Sequence, residues 1–194
     1  MSISPVKVDF SLLSSKDYCI ELQDSFERAF ALHGFGAMIV TNIPNFKHIR
    51  KTVLHNMYKL SKEPQEVLDK LRQPNKDSLY EVGWHTKKMN SAFGKSSNRF
   101  VSFFSRYPGD TVVFPQDPEF EKESCNIWPS TIENFQEYIL KLNECLVPPI
   151  LGLLKYIDKY LAGNIKNYQK DKFVKSFSGS YQNANRLITY TPLD

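Results

Sequence analysis

Apolar and polar positions alternate at the start of the chain. Val6-Lys7-Val8-Asp9-Phe10 has the period of two of a short strand. The period then lengthens. Ile20, Leu22, Phe26, Ala29, Phe30 and Leu32 fall at helical spacing, with Ser15 or Asp17 as a cap, which predicts a helix over 16–33. Gly34 follows, the residue type most easily turned left-handed at a helix end. Phe35 to Val40 reads as a buried strand ended by Asn42-Ile43-Pro44. Asn45 caps a helix over 46–60 that aligns Phe46, Ile49, Val53, Leu54, Met57 and Leu60. Ser61 and Pro64 open another short helix carrying Val67, Leu68 and Leu71.

Residues 74–98 are polar and rich in turn formers, which predicts a long loop of the kind that carries function or lacks order. Phe100 to Phe104 resembles a strand, and four prolines in 108–129 predict irregular structure. The longest helical pattern starts at Ser130 or Thr131 and runs from Ile132 to Leu161. Pro148-Pro149 lies inside it. A mid-helix proline removes a hydrogen bond and crowds the preceding turn, so a kink or break is expected there. Gly163 ends the pattern, and a short helix is expected near 164–174. A last strand begins near Ala184. With no later segment to pair with, it is expected to be unmatched and to expose its backbone donors and acceptors. Helices outnumber strands, and the class is α+β.

Composition narrows the function. The chain has 194 residues, 41% hydrophobic and 24% charged, enough for one domain with a core, or one and a half. Its net charge of +4 comes from 25 basic and 21 acidic residues that interleave rather than cluster, which argues against a nucleic-acid partner. Cys19, Cys125 and Cys145 are far apart and form no Cys-x-x-Cys. That pattern argues against a disulfide framework or zinc site and favours the reducing cytoplasm. No run approaches the roughly 20 apolar residues that would span a bilayer.

The chemistry-bearing residues are sparse. None of the four histidines, His33, His48, His55 and His85, has an acid two positions later, so half of a non-haem iron triad is missing. His48 and His55 share a helix roughly 10 Å apart, too far for one metal. Tyr80-Glu81-Val82-Gly83-Trp84-His85 is the densest functional cluster, with Glu81 and His85 as a conceivable acid–base pair. Phosphate loops, Gly-x-Ser-x-Gly and dinucleotide fingerprints are absent. Taken alone, these residues contain no complete active site.

Several segments together resemble one family. They are Val6 to Phe10, Ala31 to Pro44 (a helix, glycine and strand leading to Asn42-Ile43-Pro44), Asn126-Ile127-Trp128-Pro129 before the long helix, and Leu187-Ile188-Thr189-Tyr190-Thr191-Pro192-Leu193-Asp194. In this order and spacing they are similar to the isopenicillin N synthase-like and plant-type 2-oxoglutarate/Fe(II) oxygenases. The resemblance spans essentially the whole chain. It implies an N-terminal α/β region over 1–129, then a central helix and the first part of a jelly roll over 130–194, with the C-terminal strands absent. It implies Fe(II) in a complete member, possible use of 2-oxoglutarate, and a small-molecule substrate. The family's His-x-Asp, distant His and Arg-x-Ser would all fall beyond Asp194, so no metal ligand or catalytic residue is assigned within the chain, and it is expected to be inactive alone.

Tyr190 matches the family tyrosine whose hydroxyl meets a carboxylate, and a phenol is a suitable donor for that task. Two positions depart from the pattern. Glu81 stands where the synthase has a substrate-binding arginine, and Ile188 stands where plant-type members have asparagine. Arg186 is given no part in the chemistry. Tyr80, Glu81 and Trp84 mark the 74–98 loop as a candidate lid. The alternative is a degenerate, non-catalytic binding module that pairs its free terminal strand with a partner.

Overall fold

The computed structural model describes residues 4–14, 20–31, 33–72, 82–86, 89–90, 96–97, 100–107, 126–180 and 183–190. The chain divides into two units: residues 1–48 with 141–179, and residues 49–140 with 180–194.

In the first unit, β1 (Val6–Asp9) pairs in parallel with β2 (Met38–Thr41), Val6 opposite Met38 and Asp9 opposite Thr41. A parallel pair needs a long crossover, here α1 (Phe10–Ser14) and α2 (Ile20–Phe30). Alternation buries Val6 and Val8 and leaves Lys7 outside. These valines join Leu13, Leu22, Ala29 and Tyr156 in one core, with Phe26, Leu153 and Tyr160 packed against it. Phe26 lies 5.0 Å from the Tyr156 ring. Phe10, expected to end the strand, begins α1 instead. The turn after α2 also differs in detail. Gly36, not Gly34, holds the positive φ of 74°. Gly34 is required for close approach, because a Cβ there would lie 2.5 Å from the Ala29 carbonyl oxygen.

The long helix runs unbroken from Phe135 to Asn164, through both prolines. Neither Pro148 nor Pro149 can donate to the carbonyl four residues earlier, a loss of about 3 kcal/mol for a proline in a helix interior. The helix compensates by burying Phe135, Ile139, Leu142, Pro149 and Tyr156, each large apolar side chain contributing roughly 1.5–3 kcal/mol. The expected break is therefore absent.

The next helix spans Lys172–Ser178, later than the 164–174 of the sequence pattern. Asn167 and Asp171 adopt positive φ and interrupt the run. Its start is set from outside: Asp158, on the long helix, accepts hydrogen bonds from the Phe173 and Val174 N–H groups, both at 3.0 Å.

The second unit holds most of α3 (Phe46–Leu60), α4 (Gln65–Lys70) and an antiparallel sheet. Strand β3 (Gly83–Thr86) lies within the expected 74–98 loop, as do the two-residue strands β4 (Met89–Asn90) and β5 (Ser96–Ser97), which pair with each other. β6 (Phe100–Arg106) lies between β3 and β7 (Ala184–Tyr190). β7 begins where its sequence pattern does, but it is not unmatched: all seven residues pair with β6, from Phe100 opposite Tyr190 to Arg106 opposite Ala184. The expectation of a wholly unpaired terminal strand is overturned: among the described residues β7 is the outer strand of this sheet, paired with β6 along one edge. The segments before β3 and β6 carry no caps or apolar alternation strong enough to reveal this pairing, which depends on contacts distant in sequence.

Gly83 explains how β3 enters the sheet. Its φ is +75°, and a Cβ would sit 2.0 Å from the Leu71 carbonyl oxygen. That carbonyl accepts the Trp84 N–H at 2.8 Å. At the far end of β6, the Asn126 side chain extends the ladder: its Oδ1 accepts the Arg106 N–H at 2.7 Å and its Nδ2 donates to the Arg106 carbonyl at 3.4 Å.

Candidate functional site

Strand alternation sorts the three-stranded sheet into two faces. On one, Trp84, Phe103 and Leu187 stand side by side across the strands, each at most 7% exposed. Phe103 meets the Phe135 ring edge-on at 5.0 Å and the Trp128 ring at 6.1 Å. This is the packed face. Trp84, expected in a lid, belongs to it, and its indole nitrogen has no hydrogen-bond partner among the described residues. Tyr80 and Glu81 lie outside the described residues, so the acid of the Glu81–His85 pair has no position here.

The other face carries Tyr190, Ile188 and Arg186 from β7, Phe100, Ser102 and Phe104 from β6, and His85 from β3. Tyr190 is 71% exposed, and its ring lies 6.0 Å from that of Phe100. Arg186 occupies the strip between the two phenylalanines, its guanidinium carbon 5.3 Å from the Phe100 ring centre and 5.1 Å from that of Phe104. Its Nε donates to the Ser102 hydroxyl oxygen at 3.1 Å. His85 packs edge-on against Phe104 at 5.2 Å, and its Nε2 is 2.9 Å from the Val82 carbonyl oxygen. The face thus offers a phenol and a guanidinium beside aromatic rings. It is suited to hold an anion with an apolar tail by hydrogen bonding, charge and stacking.

It is not suited to hold iron. Among the described residues no group of three or more His, Cys, Asp or Glu side chains could bind a metal ion. His85 is the one histidine on this sheet face, and His33, His48 and His55 belong to other segments. Cys145 is a free thiol whose Sγ lies 3.5 Å from the Pro44 carbonyl oxygen, away from this sheet in sequence and unit. Cys19 and Cys125 lie outside the described residues.

Sequence reasoning singled out Tyr190 and passed over Arg186. The signal was present: positions 186, 188 and 190 share one face of any strand. What alternation could not supply was β6, which places Ser102, Phe100 and Phe104 around the guanidinium.

No family model and no curated protein matches the sequence. Solved structures do match. A protein of the 2OG-Fe(II) oxygenase family from Caulobacter crescentus aligns over 99% of this chain with a TM-score of 0.70 and 18% identity. JOX2 in complex with 2OG, Fe and JA aligns over 95%, with a TM-score of 0.62 and 18% identity. A full-length Neurospora crassa structure with alpha-KG and thymine aligns over 95%, with a TM-score of 0.60 and 16% identity. This chain spans 58%, 47% and 54% of those chains, about half of each. At such identities the likeness establishes the fold: the chain is folded as the corresponding part of 2OG-Fe(II) oxygenase structures.

Proposed function

We propose that this chain is the N-terminal part of an isopenicillin N synthase-like, Fe(II)-dependent oxidoreductase that uses dioxygen on a small-molecule substrate. In this reading residues 1–129 form the N-terminal region, and residues 130–194 supply the central helix and the first strands of a jelly roll. The observation that carries it is the two-faced β3-β6-β7 sheet. One face is packed, and the other presents Tyr190 and Arg186 in a chain folded like 2OG-Fe(II) oxygenases. An exposed phenol beside an aromatic strip fits the wall of a substrate pocket.

Iron, when bound in a complete enzyme, would activate dioxygen. Among the described residues no side-chain cluster fits that metal; in this reading its ligands, the His-x-Asp and distant His that the family resemblance implies, would lie beyond Asp194. What this chain contributes is binding and orientation. The Tyr190 hydroxyl donates to a carboxylate, Phe100 and Phe104 hold apolar surface against water, and Ile188 keeps the neighbouring position free of polar groups. Structures of this fold solved with 2OG or alpha-KG support 2-oxoglutarate as the carboxylate co-substrate. Ile188, in place of the plant-type asparagine, speaks for a different set of contacts to it.

The test is an Fe(II) titration of the 194-residue chain under anaerobic conditions, beside a form extended along its reading frame. The extended form is expected to encode a His-x-Asp within a few dozen codons and to bind one iron, the short chain none. Stoichiometric iron binding by the short chain, or no such motif downstream, would overturn the reading.

A further inference from the structure

The interleaving of basic and acidic residues that holds for the chain as a whole fails in one stretch. No acid stands between Glu27 and Glu63, whereas Arg28, Lys47, Arg50, Lys51, Lys59 and Lys62 all do. Most of these belong to α3 or follow it directly. The first turn of α3 has no acidic residue, and Lys47 stands there instead. A cation at that end opposes the helix dipole. Lys47 and Lys51 are also four apart, a like-charge spacing that weakens a helix. Among the described residues Arg50, Lys51, Lys59 and Lys62 form no ion pair. A helix face that served solubility alone would mix the two signs along its length. This one keeps a single sign at some expense to the helix.

The helical period sorts α3 into two sides. Ile49, Val53, Asn56, Met57 and Leu60 are buried. Lys51, His55 and Tyr58 fall on the opposite side and are exposed. The chain keeps turning past Leu60, since the Ser61 and Lys62 N–H groups donate to the Met57 and Lys59 carbonyls. Lys62 therefore extends the same stripe, and its Nζ lies 5.3 Å from the centre of the Tyr58 ring. Leu54 is 40% exposed and Tyr58 54%. Two apolar side chains thus stand in the open between cations, on a stripe that spans roughly 16 Å from Lys51 to Lys62 at the rise of an α-helix.

An acidic protein, a nucleic acid and an anionic lipid surface would each complement this charge. The residue types choose among them. Three of the four cations from Arg50 to Lys62 are lysines. Lysine is a flexible point charge without the planar fork of arginine, and it is depleted at protein interfaces. Leu54 and Tyr58 gain nothing from the phosphates of a duplex. Leucine and tyrosine both gain at the boundary between lipid headgroups and acyl chains. A fluid bilayer brings its anions to wherever the lysines stand, so mobile point charges suffice.

We infer that the exposed face of α3, built from Arg50, Lys51, Leu54, Tyr58, Lys59 and Lys62, is a peripheral docking surface for an anionic lipid bilayer. The lysines meet the headgroups, and Leu54 and Tyr58 rest at the headgroup level. The inference stands apart from the enzymatic reading and requires no helix that crosses the membrane.

The experiment is co-sedimentation of the 194-residue chain with large vesicles near neutral pH. One set is phosphatidylcholine alone, and the other is phosphatidylcholine and phosphatidylserine, three parts to one. Binding is expected to the second set and not to the first, and to fall as salt is raised. Each lysine near such a surface contributes about fivefold to binding. The pair Lys51→Gln with Lys62→Gln should therefore weaken it about 25-fold. The pair Lys7→Gln with Lys155→Gln changes the net charge equally at exposed positions outside α3, and it should bind as the wild type does. Tyr58→Ser should weaken binding severalfold and leave its salt dependence unchanged. Equal binding to both vesicle sets, equal loss in the two lysine pairs, or wild-type binding in folded Lys51→Gln with Lys62→Gln would each overturn the inference. So would a random-sequence DNA duplex or polyglutamate bound as tightly as the phosphatidylserine vesicles. If the Lys51 and Lys62 pair does not fold, Lys59→Gln and Tyr58→Ser decide, and unchanged binding in both refutes the role.

Discussion

Two residues of the first unit show how a single carboxylate can order a helix. Asp158 is 3% exposed, yet three described groups hydrogen-bond to it: the Tyr168 hydroxyl at 2.6 Å and the Phe173 and Val174 N–H groups. Burial works to raise its pKa, and the hydrogen bonds from Tyr168, Phe173, Val174 and Lys172 together outweigh burial and lower it. Burial and the same partner push the Tyr168 hydroxyl up to about 12. The signs follow by linkage. A carboxylate with a depressed folded pKa contributes stability that is full above its unfolded value of 3.8 and is lost as the pH falls through the lower folded value. A phenol with a raised folded pKa contributes stability that is full below its unfolded value of 10.0 and is lost as the pH rises toward about 12. Asp158→Ala is expected to cost about 1–2 kcal/mol, the scale of a lost helix cap, and to flatten the acid limb of the melting temperature against pH below about 4, the ordinary carboxylate range. Tyr168→Phe should flatten the alkaline limb above pH 10.0. Thermal melts across that range check both, and an acid limb unchanged in Asp158→Ala would refute the assignment. The sequence did not mark Asp158, because its partners become neighbours only after the chain has turned.

At the scale of elements, three joints carry the second unit and the long helix. Gly83 combines positive φ with a carbonyl where a Cβ would be. Gly83→Ala should therefore destabilise by about 1–3 kcal/mol, read as a lower denaturant midpoint with an unchanged slope. Asn126 pairs with both backbone groups of Arg106. Replacing it with alanine should cost about 1–3 kcal/mol, the penalty for leaving buried backbone groups unsatisfied, and should speed amide exchange at Arg106. The long helix tests the opposite sign. Pro148 is exposed and lies inside a continuous helix. Pro148→Ala restores a donor worth up to about 3 kcal/mol of helix propensity and gives back roughly 0.4–1 kcal/mol of unfolded-state entropy. A net gain of about 2 kcal/mol in a chemical denaturation is expected; a loss would show that the proline holds a bend the fold needs. These joints also show why element types were legible and some boundaries were not. α3 spans the residues its apolar stripe predicts, because local periodicity and tertiary burial agree there. β3 was hidden in a polar stretch because four residues with one buried tryptophan carry too little pattern to announce a strand.

The whole molecule has the fold of the corresponding part of 2OG-Fe(II) oxygenase structures. The described residues contain no metal cluster, and no helix among them is long and apolar enough to cross a membrane. On the proposal that the iron ligands lie beyond Asp194, the chain as purified should carry no stoichiometric iron, measurable by metal analysis of the folded protein. By itself the sequence determined the α+β class, the order of most elements, the long central helix and the candidate Tyr190, since each rests on local periodicity, capping residues or a motif read along the chain. Only the tertiary structure decided that β7 is paired, that Trp84 belongs to the packed face, that the helix survives Pro148 and Pro149, and that Arg186 is clamped beside Phe100. Those outcomes depend on strand register and on burial by residues distant in sequence. A residue's own neighbours fix its backbone preference, but they do not fix which partners reach it from eighty positions away, as Ser102 reaches Arg186.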